Sequence, residues 1–298
     1  MNQELYKNRN VSACFAAAYN LFITNLTKIA RHLWMPIVAF SVAYALLLNV
    51  RLHLLLHVDE LLQDLGEFFA LWSGNLLLNL LLLSAVAWIV SALMSRLNSF
   101  GLKQNLRRGF VLTGFSLCVA IVCAILFAGV CGAVYLGLSS IAGMSVVSKV
   151  VIGIVVLVTL CVMIFFLLPL NFVSMKYFMD GGRLLPSLRA WYHVGMHHVG
   201  LLFATVLVAF ILFCMLSLVF GMPLYVLTHA QIASIDGLRM GDASILPDGF
   251  SWMMGGASLL YGLFMAFFIL WNILLNYYVY GSIEQSERER LKTKINKQ

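Results

Sequence analysis

Charged residues are scarce in this chain, and their scarcity excludes a soluble globular protein. Asp, Glu, Lys and Arg together make up 10% of the 298 residues, whereas hydrophobic residues make up 62%. A soluble chain of this length cannot bury so much apolar surface. The short alternating strands of a membrane β-barrel are also missing, so the apolar runs must form helices, which satisfy their own backbone hydrogen bonds in lipid.

Recognisable catalytic motifs are missing as well. The chain contains no Gly-x-Ser-x-Gly, no His-Glu-x-x-His and no phosphate-binding loop. No Asp, Glu, Lys or Arg lies near the centre of an apolar run, where a proton or cation pump needs one. We therefore expect no enzymatic activity, no catalytic residue and no cofactor.

Six apolar runs are each long enough to cross a bilayer, which takes about 20 helical residues. They predict an all-α fold, a polytopic bundle of six transmembrane helices with amphipathic elbow helices on the cytoplasmic side. We expect a cytoplasmic N-terminus at residues 1–32, a membrane domain at 33–280 and a charged cytoplasmic tail at 281–298. The six runs are Leu33 to Val50, Leu71 to Met94, Phe110 to Leu138, Val150 to Val173, Val199 to Thr228 and Phe250 to Tyr280.

Basic residues are distributed asymmetrically about these runs. All but three of the 19 lie at the two termini or in the links after the second and fourth runs, the exceptions being Arg51, Lys149 and Arg239. Because basic residues mark the cytoplasmic side, we predict a multi-pass protein of the cytoplasmic (inner) membrane with both termini cytoplasmic. Contact with anionic lipid headgroups then explains the net charge of +7, so membrane lipid is the expected partner and nucleic acid is not. Protein partners cannot be identified from the sequence.

An amphipathic segment leads into the first span. Its aromatic residues recur at steps of four and three, which places them on one face of a helix, with basic residues elsewhere. We predict that this elbow lies in the headgroup plane with its aromatic face toward lipid and bends upward near Trp34 and Pro36. The alternative is a helix packed on its own bundle. The lipid-interface candidates are Phe15, Tyr19, Phe22, Lys28 and Arg31.

A second lead-in, from Arg183 to His198, enters the fifth span in the same way, and a short one from Lys103 to Gly109 enters the third. Each odd-numbered span is thus entered through a polar or basic elbow. This arrangement predicts three repeats of a lead-in followed by a helical hairpin. The lipid-interface candidates of the second lead-in are Arg183, Arg189, Trp191, His193 and His197.

The histidines raise a metal-binding alternative. His193 and His197 are four residues apart, a spacing at which two imidazoles can share a metal ion, and His53 and His57 repeat it. No cysteine or carboxylate stands at a ligand spacing beside His193. We therefore expect these histidines to contact lipid headgroups, and we expect no metal site.

Asparagines are the main polar groups inside the predicted spans. Asn75 with Asn79, and Asn272 with Asn276, each place two amides on one face of a helix. Hydrogen bonds between helices are the ordinary role of such groups and contribute about 0.6 kcal/mol on average in membrane proteins. The alternative is a polar cavity that binds a ligand.

Small residues form a stripe along the third span at four-residue steps, and Gly262 and Ala266 repeat the pattern more briefly in the sixth. Small side chains let helix backbones approach closely in lipid. The stripe predicts that the third span is a central packing helix. Its residues are Ala120, Ala124, Ala128 and Gly132.

The last span ends in an aromatic run followed by a short acidic and basic helix, reading NYYVYGSIEQSERERLKTKINK from Asn276. This ending, with the plan of elbows and hairpins, resembles the six-helix membrane domains found beside glycerophosphodiester phosphodiesterases and their stand-alone bacterial relatives. The resemblance covers the whole chain in layout and implies a helical membrane bundle. We expect no phosphodiesterase activity, because the chain leaves no room for that soluble domain.

Three functions are compatible with these features. We expect the first, a non-catalytic membrane protein that organises lipid or partner proteins. The second is a small transporter or channel with an asparagine-lined cavity, against which the lack of buried charge argues. The third is an intramembrane enzyme that modifies lipid, with the histidines as candidate groups. A continuous polar cavity would favour the second function, converging histidines and carboxylates the third, and a packed interior the first.

Overall fold

The fold was obtained as a computed structural model that describes residues 5–56, 65–142, 146–241 and 246–296. These residues form seven α-helices and contain no β-strand, which confirms the predicted all-α fold. In chain order the helices are α1 (Val11–Leu56), α2 (Leu65–Leu97), α3 (Leu102–Ala142), α4 (Val146–Asp180), α5 (Leu184–His197), α6 (Val199–Arg239) and α7 (Phe250–Ile295).

All of the described helices except α5 are long and apolar enough to cross a membrane, and each contains one of the six predicted spans. The chain is therefore a multi-pass membrane protein. At about 1.5 Å per residue, the 46-residue helices α1 and α7 each have a contour of about 69 Å, more than twice the hydrocarbon thickness of roughly 30 Å. Both helices must run well beyond the hydrocarbon core or bend.

Helix α1 bends between its two halves. The Phe15 ring packs on Trp271, with ring centroids 5.7 Å apart, while the Ser41 backbone lies against Gly262, nine residues earlier in α7. A straight helix would hold residues 15 and 41 about 39 Å apart, but nine residues of α7 cover only about 14 Å, and the reach of the side chains does not close that gap. Pro36 lies inside α1 and removes one backbone hydrogen bond, so we assign the bend to it.

The predicted lead-ins differ in form. The second is a separate helix, α5, whereas the first and third are continuous with the spans they precede. Helix α4 stops before α5 because Gly181 adopts a φ of 75°, a left-handed conformation that glycine takes without strain, and its N–H donates to the Tyr177 carbonyl at 3.2 Å. The second lead-in is also separate from the span that follows it, because His198, with φ −105° and ψ 23°, interrupts the helix between α5 and α6.

The chain divides into two compact units. Unit 1 comprises Met1–Cys14, Arg107–Val206 and Asn276–Gln298, and unit 2 comprises Phe15–Leu106 and Leu207–Leu275. The division does not follow the expected boundaries at residues 32 and 280, since α1 and α7 each run through one of them without a break. Those boundaries remain predictions about where the chain leaves the membrane.

The core of unit 2 is built from apolar faces of α1, α2 and α7. Among its described side chains that are almost fully buried are Phe40 in α1, Ile89 and Leu93 in α2, and Leu270 and Leu274 in α7. In the buried contact between Gly262 and Ser41, a Cβ added to the glycine would lie 2.8 Å from the Ser41 carbonyl oxygen. The short small-residue pattern of the sixth span therefore does mark a close helix approach.

The core of unit 1 is formed by the end of α4, the helix α5 and the end of α7. Phe172 and Tyr280 are both 1% exposed, and their ring centroids are 5.7 Å apart. Gly195 of α5 packs on Pro169 of α4, and the Tyr192 hydroxyl donates a 2.9 Å hydrogen bond to the Phe166 carbonyl. Burial raises the pKa of that hydroxyl above its usual value, which keeps it a neutral donor.

The prediction that the third span is a central packing helix is wrong for the single chain. Ala120, Ala124 and Ala128 are exposed, and nothing lies within 4 Å of a Cβ added to Gly132. Residue size shows which helix faces permit close approach, but it does not show which of them receive a neighbour. Among the described residues, the close helix contact is instead the one between Gly262 of α7 and Ser41 of α1.

Candidate functional site

Ionisable groups from α4 and α7 meet inside unit 1. The Lys176 ammonium donates to the Glu284 carboxylate and lies 3.8 Å from the nearer carboxylate oxygen of Asp180. The Lys176 and Glu284 side chains are only 16% and 14% exposed. The Tyr280 hydroxyl donates to Asp180 at 3.2 Å, and the Lys176 nitrogen lies 5.6 Å from the centre of the Phe172 ring. The Lys176 ammonium is thus the counter-ion of both carboxylates and lies next to the Phe172 ring.

A second group in unit 1 brings together histidines and a carboxylate. His198 Nε2 lies 2.9 Å from Glu287 Oε1, and Arg290 Nη1 lies 3.4 Å from the same oxygen. The neighbouring His197 ring meets the His198 ring edge-on, with centroids 5.1 Å apart and planes at 81°. One donor atom from each of His197, His198 and Glu287 falls within 4.8 Å of the others. We call these three residues the His–His–Glu group.

The sequence pattern pointed to a different pair of histidines. His193 is exposed on α5 and does not belong to the His–His–Glu group. The carboxylate missing beside the histidines in the sequence is supplied by Glu287, 89 residues beyond His198. A local motif search misses this partner. The one available signal was an acidic residue just past the last span, where α7 continues as a helix.

The N-terminal segment of unit 1 is fastened to α7. The Arg9 amide donates to the Ser282 hydroxyl at 3.0 Å, and that hydroxyl donates to the Arg9 carbonyl at 2.9 Å. The Arg9 guanidinium lies 5.1 Å from the centre of the Tyr278 ring, and that of Arg288 lies 4.3 Å from the Tyr6 ring. These cation–π contacts are typically worth about 0.5–2 kcal/mol each, so Tyr6 and Arg9 are held against α7.

The predicted aromatic face of the first elbow borders an apolar groove in unit 2. The groove encloses about 340 Å³, within the roughly 300–1,000 Å³ typical of ligand pockets, and it is partly open. Its lining is almost wholly apolar. The lining residues are Tyr19, Phe22, Ile23, Leu212, Leu216, Phe264, Phe267, Phe268 and Trp271.

The buried side of the first elbow differs from the aromatic face that periodicity predicts. The buried side of the first half of α1 includes Ala18 and Leu21, which are displaced from Phe15, Tyr19 and Phe22, and also Ile29, which continues the same helical spacing as the aromatic residues. Phe22 is half-buried, and Tyr19 is 58% exposed at the rim of the groove. The aromatic face is therefore not wholly free of neighbours, because Phe15 packs on Trp271 of α7 and Tyr19 and Phe22 line the groove.

The charged candidates of the lead-ins are accessible. Lys28 and Arg31 of α1 are exposed, as are Arg183 beside α5 and Arg189 within it. Trp191 is half-buried, and its ring lies 3.6 Å from the position of a Cβ on Gly182. Contact of these exposed groups with lipid headgroups remains a prediction.

The asparagine pairs have different surroundings. Asn79 donates to the Asn75 carbonyl at 2.7 Å and accepts a 2.9 Å hydrogen bond from Arg51. This is the ordinary interhelical role, with an arginine as a partner that sequence reasoning missed. The Arg51 guanidinium also donates to the Asn75 side-chain oxygen, at 3.5 Å. Asn272 and Asn276 are both half-buried along α7.

A smaller cavity in unit 2 contains a further intramembrane amide, that of Asn49. It encloses about 250 Å³, and Asn49, Arg51, Thr228 and Ser258 contribute polar groups to an otherwise apolar lining. The Asn49 amide donates to the Ala45 carbonyl at 2.7 Å and to the Ser258 hydroxyl at 3.3 Å. Its hydrogen-bonding capacity is thus largely used within the protein.

Comparison with known proteins adds no identity: no protein-family model, curated protein or solved structure matches the chain. The resemblance to the membrane domains beside glycerophosphodiester phosphodiesterases therefore remains a prediction from layout.

Proposed function

We propose that the protein is a non-catalytic integral protein of the cytoplasmic (inner) membrane that binds lipid, and that its groove in unit 2 receives an acyl chain. The observation that carries this proposal is the apolar lining of the groove, which includes six aromatic residues. Such a surface gives a hydrocarbon chain many dispersion contacts and offers a polar solute or an ion almost no hydrogen-bonding partner.

The driving force for this binding is packing. Lipid tails are as apolar as leucine, and an acyl chain in the bilayer is already out of water. Its transfer into the groove therefore yields no hydrophobic free energy. Rigid rings such as Phe264 and Phe268 supply preformed contacts at a low cost in conformational entropy. An acyl chain that fits this groove should therefore bind more tightly than one that only touches an exposed helix surface.

Basic residues supply the second part of the proposal. Lys28 and Arg31 are exposed on the same half of α1 that carries Tyr19 and Phe22. A basic side chain near an anionic membrane surface contributes about 1 kcal/mol of attraction. Lipids with anionic headgroups are therefore the expected occupants, with the headgroup attracted to these cations.

Photolabelling tests the groove. We expect a phospholipid with a photoreactive acyl chain to form adducts mainly on peptides that contain Phe22 or Phe264 to Trp271. Leu216→Trp adds bulk inside the groove and should lower these adducts severalfold. Leu218→Trp is the matched control, because Leu218 lies two residues further along α6, is 71% exposed and does not line the groove.

The proposal fails if adducts spread over the exposed apolar residues of α3 and α4 in proportion to their exposure. It also fails if Leu216→Trp and Leu218→Trp label alike, provided that both variants elute as folded protein in gel filtration.

Cysteine labelling tests the orientation. We expect a cysteine at Asp248 to react with a membrane-impermeant maleimide from outside intact cells, and one at Thr293 to react only after permeabilisation, because the basic residues gather at the termini. The six native cysteines, all unpaired, are replaced first. Labelling of Thr293→Cys in intact cells, with Asp248→Cys protected, would show that the orientation is the opposite of the predicted one.

Transport remains the second candidate on the strength of the smaller cavity. One asparagine lines it, and its amide already bonds Ala45 and Ser258. A transport path would need water to reach this amide from both sides of the membrane. Reaction of Asn49→Cys with a polar thiol reagent from each side would favour transport over lipid binding.

The lipid-modifying enzyme is the third candidate. The His–His–Glu group meets the criterion of converging histidines and a carboxylate. These side chains also serve as ligands and hydrogen-bonding partners in many sites that perform no reaction. By themselves they support a binding site and not a reaction.

A further inference from the structure

We infer that His197, His198 and Glu287 form a binding site for a divalent transition-metal ion. The three residues come from the end of α5, from the junction that follows it and from α7, all within unit 1. This site is independent of the lipid groove in unit 2.

The junction between α5 and α6 is what lets adjacent histidines converge. Neighbouring side chains on a continuous helix diverge by about 100°, since 3.6 residues make one turn. His198 lies between the two helices with φ −105° and ψ 23°, outside ideal helical geometry. Its ring consequently meets that of His197 edge-on. A run of uninterrupted helix through this point would send the two imidazoles to different faces.

The donor separations suit a metal ion. Ligand atoms about 2.0 Å from a tetrahedral zinc ion are about 3.3 Å from one another. His198 Nε2 and Glu287 Oε1 are 2.9 Å apart, and all three donor atoms lie within 4.8 Å of each other. His197 is exposed, so its side chain has room to rotate toward the other two donors. Three protein ligands leave a fourth position for water or for an oxygen of a lipid headgroup.

The donor types select the class of ion. Two imidazoles with one carboxylate suit zinc, copper, nickel or iron, whereas magnesium and calcium prefer sets made only of oxygen atoms. Arg290 competes for the same carboxylate oxygen at 3.4 Å, but its side chain is 46% exposed and can turn to solvent. An ordinary His198–Glu287 ion pair would not require His197 to converge as a third donor.

Metal titration of the untagged full-length protein in detergent tests the inference. We expect one Zn²⁺ per chain, and a Co²⁺ complex whose visible absorption has the intensity of a four-coordinate site. His197→Ala, His198→Ala and Glu287→Gln should each weaken Zn²⁺ binding by at least about tenfold, a loss seen even for outer-shell partners of metal ligands. His197→Ala removes an exposed ring, so its effect does not depend on refolding.

His193→Ala is the matched control. It removes an exposed histidine from the same helix, four residues before His197, and should leave the affinity unchanged. Absence of stoichiometric Zn²⁺ binding would overturn the inference. So would a loss of binding in His193→Ala with none in Glu287→Gln, because that result would place the metal on the α5 face alone.

Discussion

Gly262→Leu is expected to destabilise the protein by about 2–3 kcal/mol, the usual cost of forcing extra atoms into a packed interface. A Cβ at this position would lie 2.8 Å from the Ser41 carbonyl oxygen and 3.1 Å from its Cα. Both are backbone atoms, so no side chain can rotate to make room. The backbones of α1 and α7 would have to separate, with loss of the packing around Ser41. The loss is measured as a lower melting temperature in detergent.

The double variant Ala124→Leu/Ala128→Leu is the matched control. It enlarges small residues of α3 that are exposed in the chain, and we expect it to change stability by less than about 0.5 kcal/mol. A loss as large as that of Gly262→Leu would mean that the α3 stripe packs against a second copy or another protein in the purified sample. The difference in stability loss between the two variants therefore shows whether a helix packs against each small-residue face.

Hydropathy and helix signals accounted for most of the secondary structure. The six spans, the separate helix after Arg183 and a bend near Pro36 could all be predicted, because each depends on local properties of the chain. A span needs a long apolar run, a helix stop needs a residue such as Gly181, and a bend needs a break in the hydrogen-bond ladder.

The partners of polar groups were not predictable in the same way. Asn75 and Asn79 could be read as an interhelical pair, and Arg51 as a cation near the end of its span, but no local pattern joined them. Glu287 is 89 residues from His198, and Ser282 is 273 residues from Arg9. These contacts depend on which helices become neighbours. Hydropathy does not contain that information, because every span is apolar on most of its surface.

The predicted aromatic face is offset from the buried side of α1 for a related reason. Periodicity chose Phe15, Tyr19 and Phe22 because they are large and apolar, whereas the buried side of α1 begins with the small residues Cys14 and Ala18. In a membrane, small residues approach a neighbouring helix, and large ones fill the space beside the contact. The aromatic face therefore lies beside the buried side of α1, and Tyr19 and Phe22 line the groove there.

Lys176→Met is expected to destabilise unit 1 by about 3–5 kcal/mol, the range for removing one partner of a buried ion pair. The Lys176 ammonium is 16% exposed and neutralises two carboxylates, bonding Glu284 and lying 3.8 Å from Asp180. Its removal leaves the Glu284 charge, itself 14% exposed, without a counter-ion. Lys292→Met, which removes an exposed lysine further along α7, is the control and should change stability by less than about 0.5 kcal/mol.

The sharing of one ammonium by two acids makes the outcome asymmetric. Glu284→Gln alone should cost less than Lys176→Met, because Lys176 keeps Asp180 as a counter-ion. The double variant Lys176→Met/Glu284→Gln should recover most of the loss, since replacing a whole buried pair is often nearly neutral. Asp180 tolerates this change, because it is 45% exposed and still accepts a hydrogen bond from Tyr280. If the two single losses simply add in the double variant, the lysine and the glutamate are not coupled, and the contact of the Lys176 ammonium with the Phe172 ring would explain the loss instead.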